Sequence, residues 1–513
     1  MTEISTVQLG FPLLSILIIL PAIGALIALF TGGLAKTVAL VISVLQLALA
    51  MFAWLSLDSS TAAMQFAESA SLFGLGYQLG IDGISAMFLP ATALLTLFAV
   101  MYASKSVETK PGAYLAALLF SEAALMGAFA ATDLSLFWVF FVLEIIPGYL
   151  LIKGWGTSDE RNAAARNYVL YMVLASLAIG AGFLIMATSG SQPPGFSLQA
   201  IATQGIDPAI QTLIFFLLCV GFAIKAPLFP VHSWLPKVLE HGPMIGMSVF
   251  LVGIKLGAYG LLRFVVPLLP EATEAWFWLL AAIGFASMVY GALIALVQTN
   301  LRRLMAFASI SHMGVVTLGL FSLNVAGIEG GLLQALNLGL TGAGLFLIAG
   351  FLSTRVGTPD LSNMGGLHAR TPLLAFGFLV IALAAVGMPG TSGFNGEHMV
   401  MLGAFEKHWL MALCVGIGPI LAAAYFLRYY LRAFLGDAPA TDENVADLEG
   451  NERIIVGSLV AVVLIIGLYT TPFIETMRSS VESITSEYHQ SSHTKHKTGS
   501  DAAGQDTASM LNH

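Results

Sequence analysis

Gly221-Phe-Ala-Ile-Lys225-Ala-Pro-Leu-Phe-Pro230, followed at once by Val231-His232-Ser-Trp-Leu-Pro236, puts a cation inside an apolar run with three prolines just behind it. A lysine in hydrocarbon costs roughly 2.5–3.5 kcal/mol on insertion scales, so it is rare there without a partner or a task. Proline has no N–H to continue the helical ladder, so a helix arriving at Lys225 must break beside it. Irregular backbone at membrane depth is tolerated only where it faces protein or water. The stretch therefore predicts a broken membrane helix with a buried charge at the break. That combination points to ion movement.

The rest of the 513 residues supports a membrane reading. The chain is 57% hydrophobic and 10% charged, with a mean hydropathy of +0.86. A soluble protein carries about a quarter charged residues. Runs of about twenty apolar residues, each long enough to cross a bilayer, recur from Phe11 to Phe473. The expected fold is an all-α integral membrane protein of about fourteen helices by that length criterion. The spans read 11–31, 34–57, 84–105, 112–131, 133–153, 163–188, 209–228, 243–265, 275–297, 302–322, 329–352, 372–407 (broken), 410–434 and 454–474. The first lacks a basic lead-in and a small-residue cleavage site, so it reads as a retained helix rather than a signal peptide. Cys219 and Cys414 lie in apolar spans and read as small buried hydrophobes, with no disulfide framework or metal-ligand spacing.

Basic residues sort between alternate loops. Lys36, Lys105, Lys110, Lys153, Arg161, Arg303, Arg355 and Arg428 belong to one set, whereas the other holds only Arg263 and Lys407 before the tail. The positive-inside rule places the first set in the cytoplasm and both termini on the opposite side. From about 476 the chain is polar, with His489, His493, His496 and His513, and reads as a disordered tail in which metal binding has little support.

Thr132-Asp-Leu134 reappears as Thr299-Asn-Leu301, Gly180-Ala-Gly182 as Gly342-Ala-Gly344, and Ala226-Pro227 as Met388-Pro389, in the same order and about 165 residues apart. Five helices separate the copies, so the pattern predicts two inverted five-helix units, 112–265 and 275–434. Helices 1–3 (1–111) precede them, a last helix (435–475) follows, and 476–513 is the tail. The second unit also carries a break beside a charge, Gly387-Met-Pro-Gly-Thr-Ser-Gly-Phe-Asn-Gly-Glu397-His398.

Six ionisable groups fall within spans: Glu122, Glu144, Lys225, Lys255, His312 and Glu397. Such groups are functional candidates by default and usually face the bundle interior. Taken singly, each also fits a structural hydrogen bond. Glu144 and Lys225 form a plausible pair, because a nearby carboxylate keeps a lysine charged and its withdrawal lets desolvation favour the neutral amine. Lys255 is flanked by Gly253 and Gly257, which make room for close helix approach or water. His312 titrates near neutrality and offers two ring nitrogens to a relay. His232 and His398, beside the two breaks, are further relay candidates.

Tyr77-Gln-Leu-Gly-Ile-Asp-Gly-Ile-Ser85, Lys225-Ala-Pro with His232-Ser-Trp-Leu-Pro236, Ile254-Lys-Leu-Gly-Ala-Tyr-Gly260, Ser309-Ile-Ser-His-Met-Gly314, Asn363-Met-Gly-Gly366 and the second break resemble the antiporter-like membrane subunits of NADH:quinone oxidoreductase, complex I. The resemblance runs to about residue 475. A glutamate in the second break, and no long lateral helix after the fourteenth span, resemble the branch called subunit M, or subunit 4. This resemblance implies proton translocation driven by quinone reduction elsewhere in the complex. Lys225 would be the central lysine, Lys255 the connecting one, Glu397 the exit group, His312 a relay and Glu122 a fourth-helix carboxylate. It implies other membrane subunits as partners, quinone bound by those partners, and no cofactor, redox centre or metal in this protein. The location implied is a bacterial inner or thylakoid-type membrane.

Three departures bear on the path. Val142 stands where the family usually has glutamate, so Glu144 lies two residues late. Two residues is about 200° of helix rotation, which leaves open whether Glu144 reaches Lys225. Leu338 replaces a frequent histidine, and Leu235-Pro-Lys-Val-Leu-Glu-His241 replaces the usual Leu-Pro-Asp-Ala-His. A multi-component cation/proton antiporter subunit, or a variant such as a CO2-uptake form, are the competing readings.

Overall fold

The structure, a computed structural model, describes residues 10–72, 75–190, 195–244, 246–361, 364–437 and 445–488. Asn363 and the four tail histidines lie outside them. Among the described residues, thirteen helices are long and apolar enough to cross a membrane, from Leu13–Phe30 to Asn451–Leu468. The remaining expected span, 372–407, consists of two half-length helices, Pro372–Val386 and Ser392–Lys407.

Both expected breaks are present. The first helix, Pro208–Lys225, ends on the lysine. Pro227 and Pro230 offer no N–H there, and the chain turns through a widened bond from Leu228 N–H to Ala223 O at 2.9 Å. The short helix Trp234–His241 is then tied back by the Trp234 indole, which donates to Ile224 O at 2.9 Å. At the second break Gly387 and Gly390 take φ of 81° and 86°, a region open to glycine and strained for other residues.

Two further interruptions replace spans expected to be continuous. Glu144 sits between the helices Leu134–Leu143 and Ile145–Trp155. Pro147 cannot donate to Leu143 O, and the neighbouring bond from Gly148 N–H to Glu144 O stretches to 3.5 Å. Ile254 separates Met247–Gly253 from Lys255–Gly260, which runs on into a π-helical turn, Leu261–Val265. A second π-helical turn, Leu431–Leu435, follows the helix Trp409–Tyr430.

The strongest likeness between the two halves is in their hydrogen bonds. Leu134 N–H donates to Phe196 O and Leu198 N–H to Thr132 O, at 2.8 and 3.0 Å. The same two bonds join Leu301 to Pro359 and Leu361 to Thr299, both at 3.0 Å. In each case the residue between caps the next helix. Asp133 accepts from Ser135 and Leu136 N–H, and Asn300 from Arg302 and Arg303 N–H.

The all-α expectation omitted one element. Gln65–Leu72 and Leu75–Ile81 form an antiparallel hairpin between the second and third spans. Its Glu68 accepts the N–H groups of Leu14 and Ser15 at 2.7 and 3.0 Å, supplying the first helix with an N-terminal anion that its own Pro12 cap lacks. The tail also begins later than expected, since residues 471–488 are helical. Met477, Val481 and Ile484 recur at helical spacing and are buried, and Ser480 Oγ accepts Gly83 N–H at 3.1 Å. A polar composition had hidden a one-sided apolar stripe.

Asp82, just after the hairpin, meets Arg263 of the first π-helical turn in a buried bidentate pair at 2.5 and 2.7 Å. Arg263 Nε also donates to Tyr259 Oη at 3.2 Å. Burial alone would raise the Asp82 carboxyl. The guanidinium and the N–H groups of Ser85 and Ile84 more than offset this and hold it below the usual carboxylate range.

Candidate functional site

Lys225 and Glu144 meet in a buried ion pair, with Nζ donating to Oε2. The ammonium also lies 5.3 Å from the Phe141 ring centroid. Glu144 therefore does reach Lys225, although it lies two residues past the family's usual position. The interruption of the helix at Glu144 lets its side chain turn into the gap between the Lys225 helix and Met247–Gly253. Gly253 is what leaves that gap open, because a Cβ there would fall on Glu144 Oε1. Leu125 closes over the same spot, one turn beyond Glu122. Glu122 itself is fully buried, and neither carboxylate oxygen has a hydrogen-bond partner among the described residues.

Lys255 is buried at the Ile254 interruption. Gly257, half a turn on, packs its backbone against Phe222 O and Ala226 N at the end of the Lys225 helix. Lys255 Nζ approaches Met313 Sδ at 3.6 Å and has no carboxylate partner among the described residues. Met313 is the next residue after His312 on the helix Leu301–Leu320. His312 Nε2 lies 3.0 Å from Tyr425 Oη.

Glu397 is buried beside the second break, its carboxylate packed on Gly387, where a side chain would collide with it. Oε1 accepts from Gln334 Nε2 at 3.0 Å. Gln334 Oε1 accepts from Asn337 Nδ2 at 3.4 Å, and Asn337 Oδ1 accepts from Ser392 Oγ at 2.6 Å. This amide string lies on the helix Val325–Val356, which also carries Leu338. Its signal was present as Gln334, Asn337 and Thr341, the only polar residues between Glu329 and Ser353 and all on one helix face. Tyr425 carried no such signal, since Tyr429 and Tyr430 beside it look alike in sequence.

Two sequence candidates stand apart from this line. His232 is buried with Nδ1 unpartnered among the described residues, its ring against Tyr290 and Phe229 at 4.9 and 5.8 Å. His398 is exposed and stacks on Phe394. No direct hydrogen bond joins Lys225 to Lys255, Lys255 to His312, or Tyr425 to Glu397 among the described residues. A continuous hydrogen-bonded line would need water at those three gaps, which polar, roomy sites can hold.

Residues 131–421, more than half of the chain, match the family described as NADH:quinone oxidoreductase/Mrp antiporter, TM. The chain is 35% identical to NADH-quinone oxidoreductase subunit M of Rhodobacter capsulatus, over 93% of this chain and 97% of that protein. Its fold matches a chain of respiratory complex I from Thermus thermophilus with a TM-score of 0.86 at 30% identity, covering 93% and 99% of the two chains. A chain of the Mrp complex from Dietzia sp. shares the fold at a TM-score of 0.82, with 23% identity and coverage of 94% and 99%.

Proposed function

The chain belongs to the NADH:quinone oxidoreductase/Mrp antiporter membrane family, and from that premise we propose that it is the proton-translocating membrane subunit of a complex I-like NAD(P)H:quinone oxidoreductase. The observation that carries this is the buried Lys225–Glu144 pair at paired helix interruptions, with further polar groups running from Lys255 to Glu397. Electron transfer and quinone chemistry fall to partner subunits.

The chemistry follows from burial. A lysine taken out of water stays charged only while a carboxylate faces it. When a change in a neighbouring subunit draws Glu144 away, the ammonium loses its counter-charge and gives up a proton toward Lys255. His312 can accept on one nitrogen and release from the other. The Tyr425 hydroxyl both donates and accepts, so it passes the proton on toward Glu397. The Gln334 amide holds that carboxylate in place. Glu397 releases its proton to water on the far side; return of Glu144 restores the counter-charge, so Lys225 binds a fresh proton from water on the input side and the cycle resets.

The duplicated five-helix unit is supported by the matching Leu134/Phe196 and Leu301/Pro359 bonds and by a π-helical turn near the end of each half. The loop asymmetry of lysine and arginine supports a topology with both termini on the non-cytoplasmic side of the membrane. A multi-component cation/proton antiporter remains the second reading, favoured by the fold shared with the Dietzia protein.

Reconstitution separates the two readings. Proteoliposomes of the purified complex should take up protons only when NADH and quinone are supplied. Sodium–proton exchange without either would favour the antiporter. Glu144→Gln keeps the shape and removes the charge, and should slow proton transfer at least about tenfold, since leaving a buried charge without its partner costs about 3–5 kcal/mol and about 1.4 kcal/mol is already a factor of ten. Unchanged pumping would mean that another group controls Lys225. Tyr425→Phe strips one hydroxyl and leaves His312 Nε2 without its partner. At about 1–3 kcal/mol for that loss, pumping should slow about five- to 150-fold with assembly intact.

A further inference from the structure

A groove of about 740 Å³ opens on the outer surface where the helices Leu13–Phe30, Pro111–Ala130 and Ile145–Trp155 meet. Its floor is made of small side chains, among them Ala22, Ala25, Ala113 and Ala117, and its walls include Leu26 and Leu150, both exposed. At one end the lining changes character to Lys110, Lys153 and Trp155. No acidic residue lines the groove among the described residues.

We propose that this groove is a binding site for an anionic diacyl phospholipid, with one acyl tail along the alanine floor and the phosphate between Lys110 and Lys153. The dimensions fit. From Ala22 to Leu29 is about 10 Å of helix, and from Ile146 to Trp155 about 13 Å, at 1.5 Å per residue. One leaflet of a hydrocarbon core is about 15 Å thick. The groove therefore runs down most of one leaflet and stops, as a lipid tail must. A helix of a neighbouring subunit would cross both leaflets.

The rim is built to hold a phosphate. Trp155 Nε1 donates to Thr109 O at 2.7 Å, joining the two segments that carry the lysines. Lys153 Nζ donates to Tyr149 Oη at 2.9 Å, which fixes the ammonium at the rim and leaves two of its three N–H donors free. Lys110 Nζ has no partner among the described residues and is exposed. Tryptophan, tyrosine and lysine at such a boundary mark headgroup level, and both lysines belong to the basic loop set, which faces the anionic leaflet.

The test uses the assembled complex in phosphatidylcholine bilayers containing a trace of phosphatidylglycerol with a photoactivatable diazirine in one acyl tail. After illumination, mass spectrometry should find label within 111–120 and 146–155. Unlabelled phosphatidylglycerol should compete about thirtyfold better than phosphatidylcholine, the combined attraction of two lysines for a headgroup of net negative charge, which the choline ammonium cancels in phosphatidylcholine. The Lys110→Ala/Lys153→Ala double variant should lose that preference, and Lys110→Arg/Lys153→Arg should keep it. Both lysines are exposed, so assembly, checked by native electrophoresis, should be unaffected. Equal competition by the two lipids would overturn the proposal, as would an unchanged preference in the alanine variant. Absence of groove label beside normal labelling of other lipid-facing helices would do the same, because it would mean a neighbouring subunit fills the groove.

Discussion

Lys225→Ala should abolish proton pumping by the reconstituted complex while leaving the complex assembled. The substitution removes the only charge that Glu144 meets among the described residues. An isolated carboxyl can be buried as the neutral acid, so the fold tolerates the loss. A relay cannot, because no other described side chain hydrogen-bonds Glu144 and the next candidate, Lys255, lies on a different helix. Glu397→Ala should have the same effect from the other end. There the amide of Gln334 loses its acceptor and the polar string ends on Gly387. The measurement is protons moved per electron in sealed proteoliposomes, alongside NADH oxidation and native electrophoresis. A normal ratio in either variant would remove these residues from the path.

Asp82→Asn should destabilise the protein by about 3–5 kcal/mol, the usual cost of removing one partner from a buried pair. Arg263 would be left charged and enclosed, with Tyr259 as its remaining named partner. The expected readout is a lower thermal midpoint for the solubilised complex, or failure to accumulate it. Asp82→Asn/Arg263→Gln should recover part of the loss, because no unpaired charge remains. An unaltered midpoint in the single variant would show that the pair adds nothing. The pH dependence has a definite sign. Asp82 is held below the usual carboxylate range, so its contribution is complete above the unfolded carboxyl pKa. It is lost only as pH falls through the lowered folded value. Stability lost on moving to alkaline pH would have to come from elsewhere.

The parts legible in the sequence share one physical property, which is that their cost is local. A lysine in an apolar run, prolines behind it and paired glycines around Met388-Pro389 violate membrane rules at their own positions. Both breaks could therefore be placed to within a few residues. Glu144 was harder, because its reach depends on Pro147 opening its helix and on Gly253 of another helix leaving room. Composition misled at 476–488, where a buried stripe runs through a polar segment, and at the hairpin, whose partners are set by Leu14 and Ser15 far away in sequence.

His232 and His398 show the converse. Proximity to a break made both attractive, yet one packs against Tyr290 and the other points out of the bundle. A residue's face on a short helix after a break follows from the angle at which the backbone re-enters, and no periodicity encodes that angle. Gln334 and Asn337 could have been read from their helical spacing, but Tyr425 could not.

The sequence by itself determined the membrane class, the number of spans, the two breaks and the charges beside them, because each is a response to solvent and every residue meets the solvent alone. Only the tertiary structure decided which charges meet: Lys225 with Glu144, Arg263 with Asp82, Glu397 with an amide, and Lys255 with no carboxylate among the described residues. Pairing is a matter of a few ångströms between helices, and that distance depends on every side chain packed between them.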